Sequence, residues 1–259
     1  MRLDKAMVER QKAATRAKAQ DAIKAGWVWV DDHIVTKNSY EVTDNMNIEV
    51  RSAEVSFVSR AGFKLYDVLG PFQISLKGRC VIDVGASTGG FSDVCLRSGV
   101  RCVYAVDVGH DQLDPSLLAD PRLHNMERTN CRYLKRSQFD EPIDFACVDV
   151  SFISLKLILP ALISCMETVE IVALVKPQFE AGKAFIGKHG IIKDHKVHAR
   201  VLSDMYEYIT SLGCFVHHIA PSSVVGRDGN QEFVFHISEQ PCKRSFDMKR
   251  ISKQESEMR

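Results

Sequence analysis

From Leu76 onward, short apolar runs alternate with longer amphipathic segments, and this alternation restricts the possible folds of the chain more than any other feature. Seven runs have the length and composition of buried strands: Cys80–Val84, Cys102–Val106, Leu123–Glu127, Ile143–Asp149, Val169–Val175, Cys214–Ala220 and Glu232–Ile237. Intervening segments of roughly 8–18 residues provide the helical crossovers that join parallel strands. The last two runs lie close together, so the final strand is expected to return antiparallel. The sequence therefore predicts an α/β, Rossmann-like fold around a seven-stranded, mainly parallel sheet.

The first predicted strand leads into a glycine-rich turn and then a helix, over residues 81–92. Its spacing, Gly85-x-x-x-Gly89-Gly90, is not the G-x-G-x-x-G of dinucleotide loops, and the Gly-Lys-Ser/Thr of a phosphate-binding loop is absent. Asp83 precedes the turn and suits a cationic amino-acid group, while Asp107 ends the second strand and suits a ribose diol. The combination favours S-adenosylmethionine as cofactor. The alternatives are NAD and an ordinary strand–helix turn.

Four charged side chains are expected at the carboxyl edge of the sheet. Lys64 lies on a short helix before the first strand, Asp149 and Lys176 end two later strands, and Glu232 opens the last one. Two lysines held close together disfavour each other's protonation, so one of them could act as a base while the carboxylates orient it. Such a set suits deprotonation of a weakly acidic hydroxyl beside a methyl donor. The alternative is four separately solvated charges.

The first fifty residues are expected to form a separate small α+β unit. Leu3, Ala6 and Met7 have helical spacing, Thr15 is a candidate N-cap for a second helix that ends at Gly26, and residues 27–35 read as a hairpin with Asp31-Asp32 at its turn. The net charge of the chain is only +1, but the first 25 residues contain seven basic groups against three acids. The basic groups are Arg2, Lys5, Arg10, Lys12, Arg16, Lys18 and Lys24. A local basic surface of this kind is where phosphate would bind.

The cysteine spacing and the length of the apolar runs indicate the cellular compartment expected for this chain. The eight cysteines show no CxxC spacing, so we expect them to be buried free thiols in a reducing cytoplasm, with neither zinc nor disulfides. His195 and His198 lack a supporting set of ligands and are expected to lie at an exposed helix start, so no metal site is predicted. No run approaches the roughly 20 apolar residues of a membrane span, and no signal peptide is recognisable.

The N-terminal region resembles the alpha-L RNA-binding motif known from ribosomal small-subunit protein four. The matching strings are Arg2-Leu3-Asp4-Lys5, Thr15-Arg16-Ala17-Lys18-Ala19-Gln20 and Ile23-Lys24-Ala25-Gly26-Trp27-Val28-Trp29-Val30, with Asp31-Asp32 in place of the usual Asn-Gly. The resemblance implies RNA contacts, which we assign to Arg2, Lys5, Arg10, Arg16, Lys18, Lys24 and Arg60. The alternative is a solvated amphipathic helix pair.

The rest of the chain resembles the FtsJ-like RNA ribose 2'-O-methyltransferases, whose Lys-Asp-Lys-Glu set is matched by Lys64, Asp149, Lys176 and Glu232. With the N-terminal motif, residues 1–238 resemble the hemolysin-A (TlyA) family. This implies a class I methyltransferase fold, those four residues as catalytic, and 2'-O-methylation of a cytidine in large-subunit rRNA, in some members also small-subunit rRNA. It also implies contacts to S-adenosylmethionine from Asp83, Gly85, Ser87, Gly89, Gly90, Phe91 and Asp107.

The expected organisation is an RNA-binding domain over residues 1–58, a linker over 59–63, a methyltransferase domain over 64–240 and a basic C-terminal tail over 241–259. From Cys242 onward the tail contains six basic groups against three acids and has no counterpart in the family. The expected partners are rRNA or ribosomal subunits. Two alternative functions are disfavoured by the sequence. A non-catalytic RNA-binding or ribosome-assembly factor is disfavoured by the intact charged set, and a membrane-damaging haemolysin by the absence of an apolar helix.

Overall fold

The computed structural model describes residues 1–24, 26–31, 33–50, 56–182, 185–187, 190–226 and 229–254. The chain forms two compact units, one made by residues 1–60 and a larger one that begins at Ala61. Each unit has its own hydrophobic core. In the described part of the chain, no helix combines the length and the hydropathy of a membrane span.

The smaller unit packs two helices against a three-stranded antiparallel sheet. The helices are α1 (Leu3–Glu9) and α2 (Arg16–Lys24), and the strands are β1 (Val28–Val30), β2 (His33–Ile34) and β3 (Ile48–Val50), in the order β2-β1-β3. The Thr15 hydroxyl accepts a hydrogen bond from the Lys18 amide (3.2 Å), which confirms the predicted cap of α2. The sequence did not predict β3, because three residues carry too little periodicity. Asp32, half of the predicted turn, lies outside the described residues.

The larger unit is built on a seven-stranded sheet, as predicted. Its strands are β4 (Cys80–Val84), β5 (Cys102–Val106), β6 (Leu123–Met126), β7 (Phe145–Val148), β8 (Glu170–Val175), β9 (Phe215–Pro221) and β10 (Phe233–Ser238). Their order is β6-β5-β4-β7-β8-β10-β9, and only β10 runs antiparallel to its neighbours β8 and β9. Strand order reverses beside β4, so a crevice for ligands is expected at the carboxyl ends of β4 and its neighbours.

The helices of the larger unit are α3 (Ala61–Leu69), α4 (Gly90–Arg97), α5 (Pro115–Leu118), α6 (Leu159–Cys165), α7 (Pro177–Glu180), α8 (His195–Ser211) and α9 (Met248–Ile251). Between β6 and β7 the described chain makes two 3-10 turns, at Cys131–Tyr133 and Arg136–Gln138, where a crossover helix was expected.

One of the expected domain limits needs correction. Residues 61–63, predicted as linker, are the first turn of α3, because Gly62 and Phe63 are buried there. Residues 241–254 of the expected basic tail are docked, since Phe246, Met248 and Ile251 pack against the main core. Residues 255–259 lie outside the described part.

The expectation that all cysteines are free thiols was wrong for one pair. Cys80 and Cys102 form a disulfide between β4 and β5. The two residues are register partners on neighbouring parallel strands, which places their side chains together. Strand register cannot be read from cysteine spacing, so this pairing was not predictable. The other six cysteines carry no disulfide.

Candidate active site

Four charged side chains meet at the carboxyl edge of the larger sheet. Lys64 Nζ lies 2.7 Å from Glu232 Oε2 and 3.3 Å from Asp149 Oδ2. Lys176 Nζ lies 2.6 Å from Asp149 Oδ1 and 4.0 Å from Glu232 Oε1. The Asp149 carboxylate therefore bridges the two ammonium groups, one with each oxygen. We call these four residues the tetrad.

Each member of the tetrad is placed by the element that carries it. Asp149 directly follows β7, and Lys176 directly follows β8, where Pro177 starts α7. Glu232 precedes β10, whose first residue, Phe233, pairs with Val175 at the end of β8. Because β10 is antiparallel, its start lies at the edge where the parallel strands end. Lys64 reaches the same edge from within α3.

The tetrad is buried and electrically balanced. Its side chains are only 3–13% exposed, and two cations face two anions. Burial alone would lower the pKa of Lys64, but the carboxylates of Asp149 and Glu232 outweigh burial and raise it. Burial alone would raise the pKa of Asp149, but Lys64 and Lys176 hold it below its usual value. Because carboxylates lie between the two amines, the repulsion expected between the lysines does not lower the pKa of Lys64.

The glycine-rich turn after β4 packs directly against the tetrad. Gly85 has φ +87°, and a Cβ there would lie 2.5 Å from the backbone oxygen of Asp149. Gly89 has φ +91°, and a Cβ there would overlap the side chains of Leu113 and Leu117. Gly85 thus requires glycine for conformation and for space, whereas Gly89 requires it for conformation. The turn and Asp149 form one packed structure.

The two predicted cofactor acids differ in environment. Asp107 is partly exposed, and its oxygens accept hydrogen bonds from the amides of Ser87 (2.8 Å) and Gly109 (2.7 Å), which fix its position beside the turn. Asp83 is fully buried and accepts a hydrogen bond from Ser92 Oγ (2.7 Å). Burial raises the pKa of Asp83 to about 7, although the Ser92 bond opposes this shift. Asp83 supports the turn from beneath, whereas Asp107 is open to a ligand.

The remaining predicted cofactor residues also divide into exposed and buried ones. Ser87 is exposed and Gly85 is partly exposed, so both can face a ligand. Gly89, Gly90 and Phe91 are buried at the start of α4, and Phe91 is only 3% exposed. In this structure Phe91 is therefore a packing residue of the turn.

Two residues beside the tetrad were not singled out from the sequence. Ser151 Oγ lies 3.0 Å from Lys176 Nζ and adds a hydrogen-bond partner to that amine. Phe152, with φ +64°, is 90% exposed, and its ring lies 5.1 Å from that of Phe179. Both follow the Asp149 strand end within three residues. That position was the one available signal, since a Ser-Phe pair alone has no distinctive spacing.

The predicted RNA-contact residues of the smaller unit include arginines that bind other groups of the protein and cations that are exposed to solvent. The side chain of Asp4 is fully buried and accepts hydrogen bonds from Arg2, Arg16 and Gln20 (2.8–3.1 Å). These bonds keep the pKa of Asp4 below its usual range, and the bond from Arg2 contributes most. Arg2 and Arg16 remain 41% and 50% exposed. Arg10 donates to the carbonyls of Met46 and Thr43 and so acts within the fold. Exposed members are Lys5, Arg16, Lys18 and Lys24; Arg60 is partly exposed.

Among the described residues, no group of three or more His, Cys, Asp or Glu side chains is arranged to hold a metal ion. His198 is buried instead of exposed, and its Nε2 lies 3.1 Å from the Ile192 carbonyl. His195 is the first residue of α8, as expected.

Comparison with known proteins gives matches over almost the whole chain. The FtsJ-like methyltransferase family matches residues 57–238, and the S4 domain family matches residues 1–48. The candidate rRNA methyltransferase YqxC of Bacillus subtilis is 43% identical over 91% of this chain and 85% of its own length. The 16S/23S rRNA (cytidine-2'-O)-methyltransferase TlyA of Mycobacterium tuberculosis is 38% identical over 92% of this chain and 90% of its own. A solved structure of a candidate hemolysin from Streptococcus thermophilus has a TM-score of 0.77 at 36% identity, covering 97% of this chain and 94% of that one.

Proposed function

Because the chain belongs to the FtsJ-like methyltransferases, and among them to the hemolysin A (TlyA) family, we propose that it methylates the ribose 2'-hydroxyl of a cytidine in rRNA. The methyl donor is S-adenosylmethionine, and the substrate is large-subunit rRNA, with small-subunit rRNA as the second substrate to test. One observation carries this proposal. The tetrad places two amines and two carboxylates, none of them more than 13% exposed, against the glycine turn of a methyltransferase fold.

The tetrad residues have distinct roles in this reaction. Lys64 is held by both carboxylates and stays protonated, since its pKa is raised. To act as the base, Lys176 must first release its own proton to solvent, which leaves the tetrad with one net negative charge. Uptake of the 2'-hydroxyl proton by Lys176 then restores neutrality. Asp149 and Ser151 hold the Lys176 amine in place while the ribose oxygen forms its bond to carbon.

When bound, S-adenosylmethionine would supply an electrophilic methyl group on a positively charged sulfur, with the neutral thioether as the leaving group. Residues at the turn suit this group chemically. The partly exposed Asp107 carboxylate can accept hydrogen bonds from a ribose diol, and Ser87 and Gly85 line the turn beside it. Asp83 lies beneath the turn. Because its pKa is raised to about 7, the ammonium group of the cofactor would favour the ionised form of this buried carboxyl.

The smaller unit supplies RNA affinity in this proposal. It matches the S4 domain family, and its exposed cations, Lys5, Arg16, Lys18 and Lys24, suit phosphate contacts. Asp4 orients Arg16 by a bond of 2.9 Å to the guanidinium Nε and leaves half of that side chain exposed.

The test is methyl transfer by Lys176→Ala and Lys176→Arg, measured in single-turnover reactions with radiolabelled S-adenosylmethionine and an in vitro transcribed 23S rRNA. We expect Lys176→Ala to lose methyl transfer by several orders of magnitude and still bind cofactor and RNA. Lys176→Arg should be nearly as inactive, because a guanidinium is not deprotonated at working pH. Lys77→Ala, at an exposed lysine next to the amino end of β4, is the control. Substantial methylation by Lys176→Ala would contradict the role of Lys176, and absence of ribose-methylated cytidine with the wild type would contradict the function.

A further inference from the structure

The C-terminal strap, which we define as residues 241–254, is a fixed part of the larger unit. It lies beyond the FtsJ-like family match, which ends at residue 238. The ring of Phe246 meets that of Tyr206 edge-on, with centroids 6.0 Å apart, and Met248 and Ile251 pack against the main core. Ser252 is only 2% exposed. The strap is therefore docked by an apolar face.

The strap runs from the amino edge of the sheet to its carboxyl edge. Near its start, Arg244 donates to the carbonyl of His217 in β9 (3.0 Å). Near its end, the Ser252 carbonyl lies 2.6 Å from Nδ1 of His195, the first residue of α8. Just before α8, the Ile192 amide donates to Asn230 Oδ1 (3.0 Å), two residues before Glu232 of the tetrad. The end of the strap therefore lies on the edge that carries the tetrad.

Exposed cations from two elements meet at this end of the strap. They come from the strap and from the approach and first turn of α8: Lys249, Arg250, Lys253, Lys193 and Lys196. We call them the strap surface. Within the described ranges, none of the five takes part in an ion pair. The neighbouring acids Asp194 and Asp247 serve as helix caps, accepting from the amides of Lys196 (2.8 Å) and Arg250 (3.0 Å).

We propose that the strap surface binds the phosphate backbone of the RNA substrate beside the tetrad. The net charge of the chain is only +1, so its attraction for a polyanion must come from local surfaces of this kind. When lysines without protein counter-ions neutralise phosphates, the cations condensed on the nucleic acid are released to solvent, which favours binding at low salt. The proposal rests on the function proposed above, and it assigns a second RNA-contacting surface, on the larger unit.

The experiment compares two variants of the full chain that remove the same charge. Lys249→Ala/Lys253→Ala removes two strap-surface lysines, and Lys77→Ala/Lys243→Ala removes two exposed lysines elsewhere, one of them near the start of the strap. Binding to an in vitro transcribed 23S rRNA is measured over a range of KCl concentrations. We expect the strap-surface variant to bind about tenfold more weakly at low salt and its log–log salt slope to fall by about one unit per lysine that contacted phosphate. The control variant should match the wild type.

Equal affinities and slopes for both variants would overturn the proposal, because only total charge would then matter. Thermal unfolding of both variants is followed in parallel, and Lys193→Ala/Lys196→Ala repeats the test from the helix side should the first pair be unstable. Methylation of the same RNA by the wild type separates the two proposals. Its absence would contradict the proposed function, whereas intact methylation with unchanged RNA binding in both lysine pairs would contradict only the strap surface.

Discussion

At the scale of single residues, the proposed reaction depends on the position of the Lys176 amine, and Ser151 helps to fix that position. Its hydroxyl lies 3.0 Å from Lys176 Nζ, an amine that the Asp149 carboxylate also contacts. We expect Ser151→Ala to reduce the single-turnover rate by about 3–30-fold, corresponding to the loss of one hydrogen bond, with little change in KM for the cofactor. Ser151→Thr keeps the hydroxyl and should recover most of the rate. Equal rates for the alanine and threonine variants would show that Ser151 does not position the amine.

A second residue, His218, couples stability to pH. Burial, aided by the nearby Arg244, His236 and His217, lowers the pKa of His218 to about 4, and its ring stacks on Phe72 at 4.6 Å. The folded protein therefore resists protonation that the unfolded chain accepts near pH 6.5. The contribution of neutral His218 is full above that pH and is lost as pH falls toward 4.

We expect His218→Phe, which preserves an aromatic ring against Phe72, to flatten the fall of the unfolding midpoint between pH 6.5 and 4. Urea unfolding monitored by circular dichroism at several pH values measures this slope. Parallel curves for the wild type and the variant would show that another group controls the transition.

At the scale of elements, the glycine turn transmits changes directly to the strand end that carries Asp149. Gly85→Ala should lower both stability and methyl transfer, because the added Cβ would meet the Asp149 backbone oxygen at 2.5 Å. Gly78→Ala is the matched control, since Gly78 also has a positive φ (+74°) and has nothing within 4 Å of an added Cβ. The control should cost about 1 kcal/mol of conformational strain in a thermal or urea unfolding experiment. Gly85→Ala should cost clearly more, and equal losses would refute the contact.

The elements also show why the sequence predicted some features and not others. Strand ends at a parallel sheet edge converge whatever their spacing in the chain, so Lys176 and Asp149 could be placed together from hydropathy alone. The pairing of Cys80 with Cys102 depends on strand register, which hydropathy does not specify. The carboxylates between the lysines raise the pKa of Lys64 despite its burial, and the order of these charges along the sequence does not specify that arrangement.

Packing decided the remaining differences. Phe91, predicted to contact the cofactor with the turn around it, is buried in this structure, and that contact stays a prediction. The apolar residues of the C-terminal strap are too few for a periodic signal, so its docking was visible only once α8 and β9 were in place.

At the scale of the whole molecule, RNA affinity and chemistry are expected to be separable. Lys5→Ala/Arg16→Ala/Lys18→Ala, in the smaller unit, should weaken RNA binding and reduce its salt slope by about one unit per lost phosphate contact. Calorimetry should show unchanged binding of S-adenosylmethionine, because the turn and Asp107 belong to the other unit. Methylation at saturating RNA should remain near the wild-type rate. A loss of cofactor binding in this variant would contradict the division of roles.

The shared carboxylate of Asp149 has a consequence for how such a chain can change over generations. Two positive and two negative side chains are buried together, and one carboxylate serves both amines. A substitution that removes the charge at one of the four positions leaves an unmatched charge in the interior, which costs about 3–5 kcal/mol when a buried pair is broken. Stability and activity then fall in the same step. If selection for the reaction were lost, these residues would therefore be replaced in charge-compensating pairs, because removal of a single charge destabilises the fold.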